Sequence, residues 1–225
     1  MDEVKIIEIK KSVYADNDAA AGVLRQELKA RGVYLLNLMS SPGSGKTTTL
    51  IRTINLIKDK IRVAVMEADI DSDVDAVKIK QATRIESIQL HTGGMCHLDA
   101  GMTRQGLENL APGGADLVIL ENVGNLVCPA EFDTGAVCNA MILSVPEGDD
   151  KPLKYPLMFE KSDALVITKV DALPYFSFDT EACIRRARTL NPDIHVFPLS
   201  AKTGEGLRAF EEWLLGEVRA VQAGK

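Results

Sequence analysis

Ser40-Ser41-Pro42-Gly43-Ser44-Gly45-Lys46-Thr47 follows an apolar run at 33–39 and precedes Thr48-Thr49-Leu50-Ile51, which begins a predicted helix. A strand, a glycine-rich turn and a helix in this order form the context of a P-loop, whose backbone N–H groups wrap a phosphate. Lys46 would reach the β- and γ-phosphates, and the Thr47 hydroxyl would bind Mg²⁺. Ser40 replaces the first glycine of the motif, a mild deviation because that position needs mainly a tight turn. The predicted nucleotide-binding residues of this segment are Gly43, Ser44, Gly45, Lys46, Thr47 and Thr48.

The composition is ordinary for a folded protein and excludes several classes of function. The 225 residues are 46% hydrophobic and 26% charged, with a net charge of −6 and four cysteines. The negative charge argues against nucleic acid as the main partner. The acidic, mixed N-terminus is not a secretory signal. No apolar run approaches the roughly 20 residues of a membrane-spanning helix, so we expect no membrane partner and a reducing, cytoplasmic location.

Strand-like and helix-like segments alternate along the chain, which indicates an α/β fold: a mostly parallel sheet with helices on both faces, as in P-loop NTPases. Residues 1–15 are predicted as an extended arm or short strand, and Asp16 or Asn17 as the cap of a helix to about Ala30. Without any linker or repeat, residues 1–225 are predicted to form one domain, with the arm and helix at about 1–31. The predicted strands are 33–39, 61–66, 88–92, 116–121, 137–145, 164–168 and 194–199.

Two short segments follow the last two predicted strands and favour guanine as the base. Thr168-Lys169-Val170-Asp171 and Ser200-Ala201-Lys202 resemble the N-K-x-D and S-A-K elements of GTPases. The aspartate can accept both the ring N–H and the exocyclic amine of guanine, a donor pair that adenine lacks. Thr168 stands where asparagine is usual, and its hydroxyl makes fewer bridging hydrogen bonds, so weaker nucleotide affinity is expected. The predicted base-binding residues are Thr168, Lys169, Asp171, Ser200, Ala201 and Lys202.

Carboxylates follow the second and fourth predicted strands. The segment 67–75 contains Glu67, Asp69, Asp71, Asp73 and Asp75, which suggests a Mg²⁺ or switch region, although a solvated acidic loop explains the pattern equally well. Within it, Asp69 and Asp71 are the better nucleotide-binding candidates.

A second candidate for the phosphate end is Glu121-x-x-Gly124, in place of the usual D-x-x-G. Gly124 would offer its N–H to the γ-phosphate, and Glu121 could act on Mg²⁺ through water. Asn125 stands where many GTPases carry the glutamine that orients water, and it is one methylene shorter. We therefore predict slow intrinsic GTP hydrolysis, with Lys46, Thr47, Glu121 and Gly124 as the catalytic residues.

Cys96-His97 and Cys128 follow predicted strands, so their loops should emerge at the nucleotide edge of the sheet. Thiolate and imidazole ligands suit Zn²⁺ or Ni²⁺. Spacing alone favours a buried thiol and a capping histidine, because adjacent cysteine and histidine do not form the usual zinc knuckle. Three ligands also leave a tetrahedral site incomplete unless water or a second subunit supplies the rest.

The segments 94–100 and 121–129, together with the Ser-Ser-Pro-Gly-Ser-Gly-Lys-Thr form of the P-loop, resemble the HypB family of GTPases, and the resemblance covers nearly the whole chain. It implies a GTP-hydrolysing metallochaperone that assists nickel insertion into nickel-iron hydrogenase, with GTP/GDP and Mg²⁺. It also implies that Cys96, His97 and Cys128 bind Ni²⁺ or Zn²⁺ at the interface of a GTP-dependent homodimer. A hydrogenase accessory protein and the hydrogenase large subunit are the implied partners. The N-terminal cysteine motif or histidine-rich stretch frequent in the family is absent, so a nickel-storage role is not expected.

Cys128 lies four residues beyond Gly124, on the loop that would sense the γ-phosphate. Loss of that phosphate should relax the loop and move one metal ligand relative to the others, so that nucleotide state sets metal affinity or dimerisation. Alternatives are a urease-type nickel GTPase, a GTPase chaperone of cobalamin enzymes, a P-loop small-molecule kinase and a non-catalytic metal-binding protein. The base-recognition segments argue against the kinase, and Lys46 with Thr47 argues against a vestigial nucleotide site.

The remaining reactive side chains are predicted to be structural. Cys138 and Cys183 lie in apolar segments and read as core thiols, and His91 and His195 as structural strand residues. A solvated helix face is predicted for Arg185, Arg186 and Arg188. A second switch or partner surface is a candidate role for Asp149, Asp150 and Lys151.

Overall fold

The computed structural model describes residues 9–110 and 114–224, which contain a sheet of seven parallel strands. The strands are β1 (Tyr34–Ser40), β2 (Val63–Asp69), β3 (Glu86–His91), β4 (Leu117–Glu121), β5 (Cys138–Ser144), β6 (Ala164–Thr168) and β7 (His195–Pro198). Their order across the sheet is β3-β2-β4-β1-β5-β6-β7. The α/β prediction is confirmed.

Helices cover both faces of the sheet because the central strands are apolar on both sides. All seven residues of β1 are buried, which is typical of a parallel strand between two helical layers. The longer helices are α1 (Ile9–Arg31), α2 (Lys46–Ile57), α3 (Val74–Thr83), α4 (Ala100–Asn109), α8 (Thr180–Leu190) and α9 (Leu207–Ala223). Shorter ones are α5 (Cys128–Glu131), α6 (Lys151–Lys154), α7 (Pro156–Glu160) and the 3-10 turns Val145–Glu147 and Val170–Tyr175.

Alternate residues of β1 belong to different core clusters. Leu36 and Leu38 belong to the cluster that contains α2 and α9 side chains, whereas Leu35 belongs to the cluster of α1 and Leu98. Met39 joins a third cluster with α7 and α8. Since successive strand residues point to opposite faces, one strand anchors both helical layers. Within the described ranges, no helix combines the length and apolar character needed to cross a lipid bilayer.

The N-terminal segment corrects one prediction. Helix α1 begins at Ile9, seven residues before the predicted cap at Asp16, so residues 9–15 are neither an extended arm nor a strand. The rest of the predicted arm, residues 1–8, lies outside the described residues. The local signal at Asp16 and Asn17 was misread because these residues lie within the helix, where Asn17 makes tertiary contacts.

The peripheral candidates are mostly structural, as predicted, with one exception. Cys138 and Cys183 are buried in the core. Arg186, which was predicted to be solvated, donates to Asp149 Oδ1 at 2.7 Å, and Asp149 also accepts the Asp179 backbone N–H. Asp149 is therefore tied to α8, and the role of residues 149–151 as a second switch or partner surface stays a prediction.

Candidate functional site

All seven strands run in the same direction, so the loops after β1, β2, β3, β4, β6 and β7 emerge at one edge of the sheet. The predicted P-loop, acidic segment, cysteine-bearing loops and base-recognition segments are these loops. The topology thus places segments between Ser40 and Lys202, which are far apart in the chain, at one edge of the sheet.

The segment 40–48, which we call the phosphate cradle, forms one wall of a cavity of about 560 Å³. Gly43 and Gly45 adopt positive φ angles of 75° and 94°, a conformation that favours glycine. Gly45 immediately precedes α2, so the free N–H groups of the first helical turn face the same site as the glycine-rich turn.

Ser40, the departure from the P-loop motif, has a defined role in the phosphate cradle. Its hydroxyl donates to the Ser41 carbonyl at 2.8 Å and accepts from the Ser44 hydroxyl at 2.6 Å and the Lys46 ammonium at 2.8 Å. One donor and two acceptor positions are all that a hydroxyl offers. Burial lowers the pKa of Lys46, with the Glu121 charge acting in the opposite direction. Ser40 thus holds the lysine at the cavity.

A wall of carboxylates faces the phosphate cradle across the cavity. Glu121 is 2% exposed and accepts from the Thr47 hydroxyl at 2.8 Å, and Glu67 is 4% exposed. Carboxylate oxygens of Glu67, Asp75 and Glu121 lie within 4.8 Å of one another. The Oε2 atoms of Glu67 and Glu121 are buried without a hydrogen-bond partner among the described residues.

This carboxylate wall is electrostatically costly when it faces no cation. Burial raises the pKa of Glu121 to about 7, against the opposing Lys46 charge and Thr47 hydrogen bond. Burial, reinforced by the Glu121 charge, raises the pKa of Glu67 to about 8. Oxygen ligands of this kind, with the adjacent Thr47 hydroxyl, are what Mg²⁺ prefers. The two orphaned buried oxygens therefore fit a divalent cation.

The acidic residues that lie beside Glu121 are not the two that the sequence favoured. Asp69 lines the cavity, but its Oδ1 accepts the backbone N–H groups of Asp71 and Ser72 at 3.1 and 2.9 Å. Those bonds outweigh burial and hold the pKa of Asp69 below its usual range. Asp71 is not among the cavity-lining residues. Glu67 and Asp75, which the sequence ranked below Asp69 and Asp71, lie beside Glu121 instead. Period-two alternation along β2 could have found Glu67, which shares a face with Asp69.

Residues 121–128, which we call the sensor loop, contact the phosphate cradle directly. A Cβ atom at Gly124 would lie 3.1–3.3 Å from Pro42, so only glycine fits without displacement. The start of the loop is fixed by a buried chain of amides: Asn122 donates to Asn37 at 3.0 Å, and Asn37 donates to Asn139 at 2.9 Å. Sequence reasoning missed this chain, which links β1, β5 and the sensor loop.

Asn125 has a different orientation from that expected of a water-orienting residue. Its Oδ1 accepts the N–H groups of Val127 and Cys128 at 2.7 and 3.3 Å, and its Nδ2 lies 3.8 Å from Cys128 Sγ. It is not among the residues that line the cavity. The side chain organises the cysteine end of the sensor loop.

The base-recognition segments meet the phosphate cradle as predicted. Thr168 Oγ1 donates to the Ser44 carbonyl at 2.7 Å, so threonine supplies a direct bond to the P-loop in place of asparagine. Lys169 Nζ donates to the Gly43 carbonyl at 2.7 Å. Asp171 Oδ1 accepts from the Ser200 hydroxyl at 2.6 Å, which joins the two segments to each other. Ala201 and Lys202 lie in the turn between β7 and α9.

The structure brings together Cys96, His97 and Cys128, which we call the metal cluster. One Sγ or ring nitrogen from each lies within 4.8 Å of the others, and Cys96 Sγ is 3.9 Å from His97 Nδ1. All three side chains are half-buried. The neighbouring Cys96 thiol raises the pKa of Cys128, and burial lowers the pKa of His97. Two sulfurs and a neutral imidazole fit Ni²⁺ or Zn²⁺. The burial of thiols expected from spacing alone is not observed.

Comparisons with known proteins show which family this chain resembles. Residues 34–198 match the family profile described as "CobW/HypB/UreG, nucleotide-binding domain". The hydrogenase maturation factor HypB of Rhizobium leguminosarum bv. viciae is 45% identical over 214 residues, or 95% of this chain and 71% of the relative.

Two solved structures have the same fold at substantial identity. The crystal structure of HypB from Helicobacter pylori in complex with nickel is 38% identical, with a TM-score of 0.85 over 91% of this chain and 96% of that chain. The HypB structure from Archaeoglobus fulgidus is 34% identical, with a TM-score of 0.83 over 91% and 99% of the two chains.

Proposed function

The chain belongs to the HypB family of hydrogenase maturation factors, and on that premise we propose that it is a GTP-hydrolysing switch that delivers nickel during hydrogenase maturation. One observation carries the proposal: the sensor loop contacts the phosphate cradle at Gly124 and places Cys128 beside Cys96 and His97, with which it could hold a metal ion. A single short loop therefore joins a nucleotide site to a thiol–imidazole cluster.

Guanine nucleotide is the proposed ligand of the cavity. The backbone N–H groups of the phosphate cradle and the Lys46 ammonium would hold the phosphates. The Asp171 carboxylate, already held by Ser200, would accept the two guanine donors. A small-molecule kinase would instead prefer ATP and need an acceptor site. The contacts of Thr168 and Lys169 with the P-loop favour the GTPase.

Hydrolysis of GTP to GDP and phosphate is the proposed reaction, at a slow intrinsic rate. Mg²⁺, when held by Thr47 and the carboxylates of Glu121, Glu67 and Asp75, would neutralise the phosphate charge. Asp69 at the cavity wall remains a candidate for the same shell. Gly124 would offer its N–H to the γ-phosphate. Asn125, at the position where many GTPases carry the glutamine that orients water, is engaged with the Cys128 segment instead, which supports the slow rate.

Nickel is the proposed cargo, with zinc as the competing metal. The nickel complex of the Helicobacter pylori HypB supports the first choice, and the sulfur and imidazole donors suit both. Loss of the γ-phosphate would relax the sensor loop at Gly124 and so move Cys128 relative to Cys96 and His97. The nucleotide would thereby set metal affinity, and metal would set nucleotide affinity by the same factor.

The cellular setting forms part of the same proposal. Three ligands per chain leave room for a second copy, so we propose a GTP-dependent homodimer with the metal at its interface. A hydrogenase accessory protein would supply nickel, and the hydrogenase large subunit would receive it. We place this single-domain protein in the cytoplasm, where nucleotides are available and thiols stay reduced. Neither nucleic acid nor membrane is a proposed partner.

Calorimetric titration of Ni²⁺ and Zn²⁺ tests the proposal, first with GDP and then with a non-hydrolysable GTP analogue. Wild type should show a tight nickel site whose affinity differs between the two nucleotides, together with a change in oligomeric state by light scattering. Cys128→Ala should lose that site while still binding GDP. Cys183→Ala, which removes a buried thiol in α8, is the matched control and should keep it. Equal nickel affinity and equal mass in both nucleotide states would refute the switch.

A further inference from the structure

Helix α1 contacts both segments that carry the metal ligands. We infer that Asn17 and Tyr14 of α1 are positioning residues for the metal cluster: they fix the distance between the segment of Cys96 and His97 and the segment of Cys128. The inference rests on the proposed function, since it concerns the same metal site. It assigns a role to a helix that sequence reasoning treated only as packing.

The amide of Asn17 is the central contact. Its Oδ1 accepts the backbone N–H of Ala100 at 3.0 Å, and its Nδ2 donates to the backbone carbonyl of Asp133 at 2.9 Å. Ala100 lies three residues after His97, at the start of α4, and Asp133 lies five residues after Cys128. An amide offers a donor and an acceptor at once. One side chain therefore joins the two segments through their backbones.

A stack of rings forms the second contact. The His97 ring lies face to face on Phe132, with centroids 3.8 Å apart and planes at 14°. Tyr14 also packs against Phe132, with 5.0 Å between the ring centroids, and the Tyr14 hydroxyl donates to Glu131 at 2.8 Å. The plane of the imidazole is thus set by a residue from the Cys128 side, which is itself held by α1.

The helix has a firm base for this role. Arg25 donates to both carboxylate oxygens of Asp133, at 2.5 and 2.7 Å, and to the Ala136 carbonyl at 2.6 Å. On the other side, Arg104 of α4 pairs with Glu27 of α1 at 2.7 Å. The helix is therefore anchored to both segments beyond the cluster, and a small displacement of α1 would change the spacing of the ligands.

Groups that orient metal ligands from outside typically change metal affinity by about 10- to 100-fold when they are removed. We expect Asn17→Ala to weaken nickel binding by about 10-fold, while GDP affinity stays within about twofold because nothing in α1 lines the nucleotide cavity. Asn17→Asp keeps an acceptor for Ala100 but sets a carboxylate against the Asp133 carbonyl, so it should also weaken binding. Tyr14→Phe, which removes the hydroxyl that donates to Glu131 but keeps the ring on Phe132, should have a smaller effect in the same direction.

Full-length wild type and these variants are titrated with Ni²⁺ alone, and the thiolate-to-nickel absorption bands are recorded with the affinity. Asp18→Ala is the matched control, because Asp18 is the exposed neighbour on the same helix. A weaker nickel site with displaced absorption bands and unchanged GDP binding supports the inference. Unchanged nickel affinity and spectrum in Asn17→Ala overturns it. A parallel loss of GDP and nickel binding also overturns it, since Asn17 would then act on folding in general.

Hydrogen exchange supplies an independent readout of the same coupling. By linkage, nickel bound at the cluster should slow amide exchange in residues 14–25 of α1 as well as at the ligands. No protection in α1 on saturation with nickel contradicts the inference. The proposed function fails separately, if wild type has no nickel site that depends on Cys96 and Cys128.

Discussion

The phosphate cradle and the metal cluster lie at the same edge of the sheet but are held in different ways. The cradle is continuous in sequence and starts at the end of β1. It is held by hydrogen bonds within the segment, such as that from Lys46 to Ser40, and by the bond from the buried Thr168 to Ser44. The metal cluster is drawn from two loops, is half-buried, and depends on contacts with α1 and Phe132. The phosphate cradle is held in place because it continues directly from a central strand of the sheet. The positions of the metal cluster residues instead depend on the two loops that carry them.

The two regions also differ in the state of their ionisable groups. The carboxylate wall at the phosphate cradle is buried enough to raise the pKa of Glu67 and Glu121 toward neutrality, mainly through desolvation. In the metal cluster, burial is partial, and it lowers the pKa of His97 and so favours the neutral, ligating imidazole. The carboxylate wall is therefore destabilised until a cation neutralises its charges, whereas the metal cluster keeps its donor atoms accessible to a metal.

The substitution with the largest expected effect removes the lysine charge of the phosphate cradle and should affect only that region. Lys46→Ala should lower GTP hydrolysis by about 1000-fold, the upper end for loss of one stabilising donor. The metal cluster should keep its nickel stoichiometry without nucleotide, because Lys46 contacts none of its residues. The two measurements are single-turnover hydrolysis and nickel titration. Loss of the nickel site in this variant would show that the regions are not separately held.

Guanine selectivity is the next test, because it extends the rigid region to the base. Asp171→Asn replaces one of the two acceptor oxygens with an NH2 group, which can only donate, so the preference for GDP over ADP should fall by about 100-fold. Competition against a fluorescent guanine nucleotide measures it. Asp193→Asn, in the exposed turn before β7, is the control and should leave the preference intact. An undiminished preference would place guanine recognition elsewhere.

The third test measures the electrostatic strain of the carboxylate wall. The pKa of Glu67 is raised to about 8 and that of Glu121 to about 7 from the ordinary 4.5. The folded protein therefore holds protons that the unfolded chain has released, and its stability falls as pH rises from about 4.5 to 8. Glu67→Gln removes one of the two like charges. It should gain about 2 kcal/mol on wild type between pH 5 and pH 8.

Urea unfolding without nucleotide or divalent cations measures this pH dependence. Glu160→Gln, which changes an exposed carboxylate at the end of α7, should run parallel to wild type at every pH. A Glu67→Gln curve that also runs parallel to wild type would mean that the wall is not strained.

The smallest expected effect concerns the connection between the two regions. Asn125 ties the Cys128 end of the sensor loop through its bonds to Val127 and Cys128. Asn125→Ala should reduce the ratio of nickel affinities in the GTP-analogue and GDP states by about fivefold, roughly 1 kcal/mol of coupling. Asn109→Ala, at the end of α4, is the control. An unchanged ratio would mean that coupling bypasses Asn125.

The sequence predicted correctly those features that depend on a pattern of neighbouring residues. The P-loop and the near-continuous apolar strands predicted the fold, and the strand-end positions of Cys96 and Cys128 predicted their place at the nucleotide edge. The grouping of these cysteines with His97 as metal ligands came from the family resemblance. Local pattern failed where a tertiary contact decides the conformation or the orientation. Helix α1 begins at Ile9 despite a capping signal at Asp16, and Asn125 turns toward Cys128 rather than the cavity.

The sequence alone determined the order of elements and the chemistry present at the sheet edge, because hydrophobic periodicity and turn residues act over a few neighbouring positions. Only the tertiary structure decided which carboxylates face Thr47 and that Asn17 joins the two ligand-bearing segments. These pairings depend on strand order and on side-chain direction across distances of many residues. No local pattern encodes them, since they arise when separate parts of the chain pack against one another.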